Sequence, residues 1–186
     1  MGAPATDLAV RIARKQIEAQ DICSLELVAQ QGELPAFSAG AHIDVVLPAP
    51  QGELIRQYSL CNAPGETNRY QIAVLREPQS RGGSQRVHDG LAVGDLLRIS
   101  VPRNHFPLAA HAPHSLLLAG GIGITPLLAM AEQLSHQGAP FTLHHATRSR
   151  ARTPFLDRIA AAAYAQQVVH HHSEGDSAQR LDIAAI

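Results

Sequence analysis

A glycine-rich turn between a short apolar run and a helical pattern constrains the fold of this chain most. Residues 115–119 are a short apolar run, typical of a parallel strand buried on both faces. The turn AGGIGITP (residues 119–126) follows, and apolar side chains then recur at helical spacing until Gly138. A strand at 141–145, a helix over 154–164 and a strand at 167–171 continue the alternation. The pattern predicts right-handed strand–helix–strand units on a parallel sheet.

The first hundred residues show a different pattern, in which short strands are separated by glycine and proline turns. We predict strands at 8–12, 22–27, 43–47, 54–60, 70–75 and 95–101, which favours an antiparallel barrel or sandwich. One helix is predicted over 84–90, with Ser84 as its N-cap and Gly90 at its end. The boundary near residue 110 divides the chain into a β domain (1–109) and an α/β domain (110–186).

Composition excludes several classes of protein. The 186 residues are 45% hydrophobic, and 15 basic against 16 acidic side chains leave a net charge of −1. This balance gives no electrostatic reason to expect nucleic acid or an anionic membrane surface as a partner. No apolar run approaches the ~20 residues of a membrane span, and residues 1–15 lack the apolar core of a signal peptide. Together with only two cysteines, these features predict a cytoplasmic protein.

The glycine turn has the features of a phosphate-binding site. Glycines let the backbone approach a ligand, and free N–H groups at a helix start favour anions. Thr125 is predicted to cap the helix, and Pro126 lies in its first turn, where a missing N–H costs nothing. Pro126 also replaces the third glycine of the dinucleotide fingerprint. A tight structural turn is therefore the alternative.

Two further segments point to an anionic or planar ligand. On the strand RQYSLCN (residues 56–62), Arg56 and Tyr58 share one face, so that an arginine could bind a phosphate beside a ring that stacks on a cofactor. The alternative is a solvated edge charge beside a half-buried aromatic residue. Arg81, Gly82, Gly83 and Ser84 precede the short helix, where their N–H groups could bind an anion. Here the alternative is a flexible turn.

In their order and spacing, these motifs resemble the ferredoxin–NADP reductase-like flavoproteins. The similarity is carried by RQYSLCN (56–62), AVLREPQSRGGS (73–84), VPRNHFPL (101–108) and LLLAGGIGITPLLAMAEQL (116–134). Within the family, the sequence is most similar to the FMN-containing reductases that serve aromatic-ring oxygenases such as phthalate dioxygenase and vanillate demethylase. The resemblance implies a Greek-key, flavin-binding β-barrel followed by a Rossmann-like NAD(P)-binding domain.

The resemblance also implies roles for individual residues. Arg56 would bind the flavin phosphate, Tyr58 would pack on the isoalloxazine ring, and Ser59 would lie near N5. The residues implied in flavin binding are Arg56, Tyr58, Ser59, Ala73, Val74, Leu75, Arg81, Gly82, Gly83 and Ser84. Those implied in nucleotide binding are Gly120, Gly121, Gly123, Thr125, Arg148, Ser149 and Arg150. With Tyr58 and Ser59, Thr125 forms the implied catalytic set, because it would lie close to the nicotinamide.

The implied activity is hydride transfer from NAD(P)H to bound FMN, followed by electron transfer to an iron–sulfur acceptor such as an aromatic-ring oxygenase. FMN is preferred to FAD. NADH is favoured by the resemblance, although two arginines after the second α/β strand could bind the 2′-phosphate of NADPH. A free flavin reductase and a non-catalytic flavin-binding electron-transfer module are the alternatives.

The sequence departs from those reductases in two places. A plant-type [2Fe–2S] cluster needs four cysteines, and this chain has only Cys23 and Cys61, so it cannot contain that cluster. The family's later Cys-Gly-Pro segment is absent, which predicts that the nucleotide domain is incomplete at its C-terminus. Residues 170–172 are three histidines, but consecutive strand residues alternate between faces, so we predict no metal site. Cys61 is predicted to be a small packing residue.

Overall fold

The computed structural model describes residues 8–49, 52–79 and 82–186. Six antiparallel strands form the first sheet, in the order β4-β3-β6-β1-β2-β5. They are β1 (Leu8–Ala19), β2 (Ile22–Ala29), β3 (His42–Ala49), β4 (Gly52–Ser59), β5 (Tyr70–Leu75) and β6 (Leu96–Ile99). The antiparallel architecture predicted from the sequence is confirmed.

The sheet curls into a barrel that does not close. Its two edge strands, β4 and β5, share no ladder of hydrogen bonds. Residues that follow β4 connect them: the Cys61 N–H donates to the Gln71 carbonyl, and the Gln71 N–H donates to Asn62 Oδ1, both at 2.9 Å. This leaves the far end of β5 unpaired on its outer side.

Alternating apolar side chains fill the interior of this sheet. One face of each strand points inward, as period-2 alternation requires. The fully buried members include Val10, Ile12, Leu25, Leu27, Ile43, Val45, Leu47, Ile72 and Ile99. Tyr70 packs edge-on against Phe37 with its ring centroid 5.7 Å away, and its hydroxyl donates to the Pro35 carbonyl.

The helix after β5 differs from its prediction at the start. Helix α1 (Gly83–Gln85) continues directly into a wider π-helical turn, Arg86–Gly90. The N-cap is Gly82, at φ +91°, and no side chain caps the helix. The prediction that Ser84 is the N-cap was therefore wrong, because the left-handed Gly82, two residues earlier, turns the chain into the helix. The predicted end at Gly90 is confirmed.

The second sheet is parallel, as predicted, with the order β7-β8-β9. Its strands are β7 (Ser115–Gly120), β8 (Phe141–Thr147) and β9 (Val168–His172). The two sheets share no strand, and the domain boundary near residue 110 stays a prediction.

Burial of β7 on both faces was a wrong prediction. Leu117 and Ala119 are buried, whereas Leu116 and Leu118 are 46% and 43% exposed. The helix that follows the glycine turn packs against β7 and β8, and its buried residues form one hydrophobic cluster with Leu117 and Ala119.

Helix α2 (Ile124–Gln137) follows the glycine turn and ends at Gly138, at φ +63°. Pro126 lies in its first turn, as predicted. Thr125 does not cap the helix: Gly123 occupies the N-cap position, and Thr125 Oγ1 instead donates to the Ile122 carbonyl at 3.1 Å. That prediction was wrong because the turn tightens into a 3₁₀ segment before α2 begins.

Helix α3 (Leu156–Ala161) is shorter than the predicted 154–164. Phe155 at its start has φ +64°, and Ala162 is extended. The chain then buries Tyr164, whose hydroxyl donates to Glu132 Oε1 at 3.1 Å. This contact draws residues 162–164 out of the helical path.

Candidate functional site

A cleft of about 500 Å³ lies where the two sheets meet, and we call it the first cleft. It brings together three segments that are far apart in the sequence. Its lining residues are Arg56, Gln57, Tyr58 and Ser59 of β4, Ala73, Val74 and Leu75 of β5, Glu77, Ser84, and Ile122, Gly123, Thr125 and Pro126 of the glycine turn and α2. All thirteen residues lie in the motifs at 56–62, 73–84 and 116–134 that the sequence singled out.

Arg56 packs directly on the start of α1. A Cβ atom built on Gly83 would lie 2.7 Å from Arg56 Nε and 2.9 Å from its Cγ. Only glycine allows the arginine stem this close to the backbone. Arg56 Nη1 donates to the Ile55 carbonyl at 2.8 Å, and among the described residues Arg56 has no acidic partner. An uncompensated guanidinium thus borders the first turn of α1.

Ser84 of α1 forms a hydrogen bond with the segment that precedes the helix. The Glu77 N–H donates to Ser84 Oγ at 3.1 Å. Gly82 precedes it in the left-handed conformation. Arg81, which sequence analysis added to this group, lies outside the described residues.

Tyr58 is half-buried beside Arg56. Burial raises the pKa of its phenol to about 12, while the nearby Arg56 acts in the opposite direction. The ring is therefore a neutral, apolar surface at neutral pH, suited to stacking. Gln57 and Ser59, which alternate with Arg56 and Tyr58 along β4, also border the cleft.

The edge strand β5 offers main-chain groups to the first cleft. Gln71 turns its N–H and carbonyl away from β2, toward the residues after β4. By the two-residue period, Ala73 and Leu75 do the same at the cleft. Val74 instead pairs with Cys23 of β2, and its carbonyl also accepts from His88 Nε2 at 2.9 Å.

A second cleft, of about 570 Å³, lies at the carboxyl ends of β7 and β8. Gly120, Gly121 and Arg148 line it, and Leu75 and Ile122 form a wall shared with the first cleft. Sequence analysis missed four further polar residues that line it: Thr147, His171, Ser173 and Arg180. Its described lining contains no carboxylate, so its electrostatic character is basic.

The structure separates Ser149 and Arg150 from the second cleft. The Ser149 carbonyl accepts from Thr153 Oγ1 at 2.9 Å, which folds the loop back on itself. Arg150 borders a third cavity, of about 940 Å³, between the two sheets. Ion pairs line that cavity, such as Arg158–Glu132 at 3.2 Å and Arg69–Glu66 at 2.9 Å. Its charges are thus compensated within the chain.

His145 links β8 to the glycine turn. Its side chain is 0% exposed, and its Nε2 lies 3.0 Å from the Gly121 carbonyl. The pKa of His145 is lowered to about 4, mainly by burial; the hydrogen bond to Gly121 opposes this shift, and the neighbouring His170 and His172 add to it. His145 is therefore neutral at neutral pH.

This burial predicts a pH dependence of stability. The unfolded His145 has a pKa near 6.5, so between pH 7 and pH 5 the unfolded state takes up a proton that the folded state does not. The free energy of unfolding should therefore decrease as the pH is lowered from 7 to 5. His145 should account for about 2 kcal/mol of this decrease. Urea titrations at both pH values measure it. His145→Gln cannot titrate at this position, so its free energy of unfolding should decrease by correspondingly less between pH 7 and pH 5. An equal decrease in the variant and the wild type would contradict the assignment.

Both cysteines are free and buried. Burial raises the pKa of Cys23, and raises that of Cys61 to about 12. The Cys61 thiol donates to the Gln71 carbonyl at 3.3 Å. The packing role predicted for Cys61 agrees with this environment.

Neither a metal cluster nor a membrane helix is found in the described ranges. Across residues 8–49, 52–79 and 82–186, no three His, Cys, Asp or Glu side chains are grouped so that they could coordinate a metal ion. Within those ranges, no helix combines the length and the apolar character needed to cross a bilayer.

Comparison with known proteins identifies homologues over nearly the whole chain. Vanillate O-demethylase oxidoreductase from Pseudomonas putida is 54% identical over 178 residues, which are 96% of this chain and 55% of that protein. Phthalate dioxygenase reductase from Burkholderia cepacia is 42% identical over 181 residues, or 96% of this chain and 55% of that protein. The chain thus spans about half the length of these relatives. No protein-family model matches it.

A solved structure of phthalate dioxygenase reductase shares the fold. It superimposes with a TM-score of 0.89 at 42% identity, covering 96% of this chain and 56% of that one. That protein is described as a modular structure for electron transfer from pyridine nucleotides to [2Fe–2S]. The open antiparallel barrel and the parallel three-stranded sheet are both part of the match. The chain is therefore a close homologue of oxygenase reductase components and has the ferredoxin reductase-like fold.

Proposed function

We propose that this chain binds FMN in the first cleft, accepts hydride from a reduced nicotinamide nucleotide in the second, and passes electrons to an iron–sulfur protein of an oxygenase system. The observation that supports this most is the convergence of Arg56 and Tyr58, the β5 edge and the glycine turn on one cleft. Homology to oxygenase reductase components supports the acceptor class.

The residues of the first cleft fit a flavin phosphate. Gly83 leaves a space that the Arg56 side chain fills, and the guanidinium has no acidic partner among the described residues. A phosphate would supply the missing negative charge through charge-assisted hydrogen bonds. Arg56 is the one cationic side chain in the described lining of this cleft. A single guanidinium suits the one phosphate of FMN better than the diphosphate of FAD.

The chain's own contribution to catalysis is binding and orientation. A bound flavin supplies the redox chemistry, because it accepts hydride from nicotinamide and can release electrons singly. Tyr58 offers an apolar ring face, and Ala73 and Leu75 offer main-chain donors and acceptors to the polar edge of a planar ligand. Leu75 and Ile122 border both clefts, so ligands in the two clefts would meet at this wall. We propose Ser59 and Thr125 as the groups nearest the reacting atoms.

The second cleft suits a nucleotide on electrostatic grounds. Arg148 and Arg180 supply positive charge, and the glycine turn lets the backbone approach a diphosphate. Both NADH and NADPH would fit this charge, and anaerobic bleaching of the flavin by each nucleotide compares them.

The decisive experiment is an absorbance spectrum of the purified chain after incubation with FMN or FAD and removal of free ligand. We expect a yellow protein that retains FMN in preference to FAD, identified by mass after release. Anaerobic addition of NADH or NADPH should bleach the bound flavin. Reoxidation by a [2Fe–2S] protein should then restore the colour.

Other outcomes distinguish the alternatives. Failure to retain either flavin would overturn the proposal, and preference for FAD would refute the single-phosphate argument. Reduction of excess free flavin without retention would indicate a free flavin reductase. Retention without bleaching would indicate a non-catalytic flavin-binding module.

A further inference from the structure

The buried imidazole of His145 forms a hydrogen bond with the glycine turn. The carbonyl of Gly121 accepts two hydrogen bonds, one from the Ile124 N–H at the start of α2 and one from His145 Nε2. A carbonyl oxygen can only accept, so Nε2 carries the proton and Nδ1 does not. The tautomer of His145 is thereby fixed by the turn.

The register of the parallel sheet places His145 under the turn. His145 lies opposite Ala119 on β7, two residues before Gly121, and its side chain points to the buried face with Leu143 and Thr147. From there the ring reaches up to the carbonyl at the strand end. No other described side chain bonds to a main-chain atom of Gly121.

Because the Gly121 carbonyl points toward the core, the N–H of the next residue, Ile122, points away from it. In a trans peptide the C=O and the following N–H point in opposite directions. The inward Gly121 carbonyl therefore turns the Ile122 N–H away from the core, and Ile122 borders both clefts. The positive φ of Gly121, +51°, permits this orientation.

We propose that His145 is a positioning residue for nucleotide binding, which sets the glycine turn so that the Ile122 N–H faces an anionic ligand. The inference rests on the proposed nucleotide site. His145 touches no ligand itself, and acts through Gly121. The group that faces it across the sheet is His170, with ring centroids 5.7 Å apart, and Nδ1 of each ring is buried without a partner.

The test compares three variants of the flavin-loaded chain. In His145→Leu the nucleotide concentration for half-maximal flavin bleaching should rise about tenfold, as expected for one lost hydrogen bond. The limiting bleaching rate and the affinity for FMN should not change. His145→Gln retains an N–H donor and should recover most of the loss. His170→Leu is the matched control, because it alters packing around His145 without touching the turn.

Two results would overturn the inference: wild-type behaviour in His145→Leu, or equal loss in His145→Leu and His145→Gln. A second measurement is independent of nucleotide binding and of how well the variants fold. Long-range ¹H–¹⁵N spectra of the wild-type chain should show a proton on Nε2 of His145 and a bare Nδ1. The opposite tautomer would contradict the inference even if the chain binds no nucleotide. If the wild type fails to bleach while the tautomer is as expected, the proposed function fails and the geometry of the turn stands.

Discussion

Replacing Gly40 by alanine should lower the free energy of unfolding by about 4 kcal/mol or more, the largest single-site effect that we expect in the β domain. An added Cβ would lie 1.9 Å from the Phe106 carbonyl oxygen and 3.0 Å from Met130 Cε of α2. Because the nearest atoms belong to the backbone, a side-chain rotation cannot relieve the clash. Gly40 also has φ +94°, which adds strain. Urea denaturation measures the change.

The control for this variant is Gly94→Ala. Gly94 has a similar φ, +100°, but nothing lies within 4 Å of its added Cβ. Its free energy of unfolding should decrease by only about 1–2 kcal/mol, the cost of placing alanine at a positive φ. Equal losses in the two variants would show that the close approach of Phe106 to Gly40 contributes nothing.

The second large effect concerns Arg56. Arg56→Ala should weaken FMN binding about 100-fold, because a charge-assisted hydrogen bond to phosphate contributes about 1.5–3 kcal/mol. Gly83→Ala should weaken it too, since the new methyl group displaces the guanidinium. Equilibrium dialysis or fluorescence quenching of the flavin measures both. Arg11→Ala, an exposed residue on β1 that lines neither cleft, is the matched control.

Riboflavin separates the role of Arg56 from general damage to the cleft. Riboflavin lacks the phosphate, so its affinity should be the same for the wild type and Arg56→Ala. If Arg56→Ala weakened riboflavin and FMN equally, Arg56 would be supporting the cleft rather than binding the phosphate.

Strand bounds and helix ends that depend only on neighbouring residues were predicted correctly from the sequence. Residues 70–75 form β5 with the predicted bounds, because alternation and flanking turns are visible in the sequence. Gly138 and Gly90 end their helices as predicted: Gly138 follows α2 in the left-handed conformation, and Gly90 is the last residue of the π-helical turn. The predicted N-caps at Ser84 and Thr125 were wrong, because glycine turns begin both helices and leave the hydroxyls inside them.

Features that depend on three-dimensional neighbours were not predictable in this way. Whether Leu116 and Leu118 are buried depends on what covers the sheet, which the apolar run cannot reveal. Arg148 and Arg150 are two residues apart, yet they border different cavities because the loop folds back at Ser149. The bond from His145 to Gly121 requires the register of β7 and β8. The basic lining of the second cleft includes Arg180, which is distant from every motif.

The shared wall of Leu75 and Ile122 has a consequence for recombination between relatives. Leu75 belongs to the antiparallel sheet and Ile122 to the glycine turn that follows β7 of the parallel sheet, so a chimera joined near residue 110 would take them from different parents. Such a chimera would inherit the lining of both clefts and still misalign the wall between them. Hybrids of this chain with its relatives should therefore be chosen by matching this pair of side chains, rather than by matching the sequence at the junction.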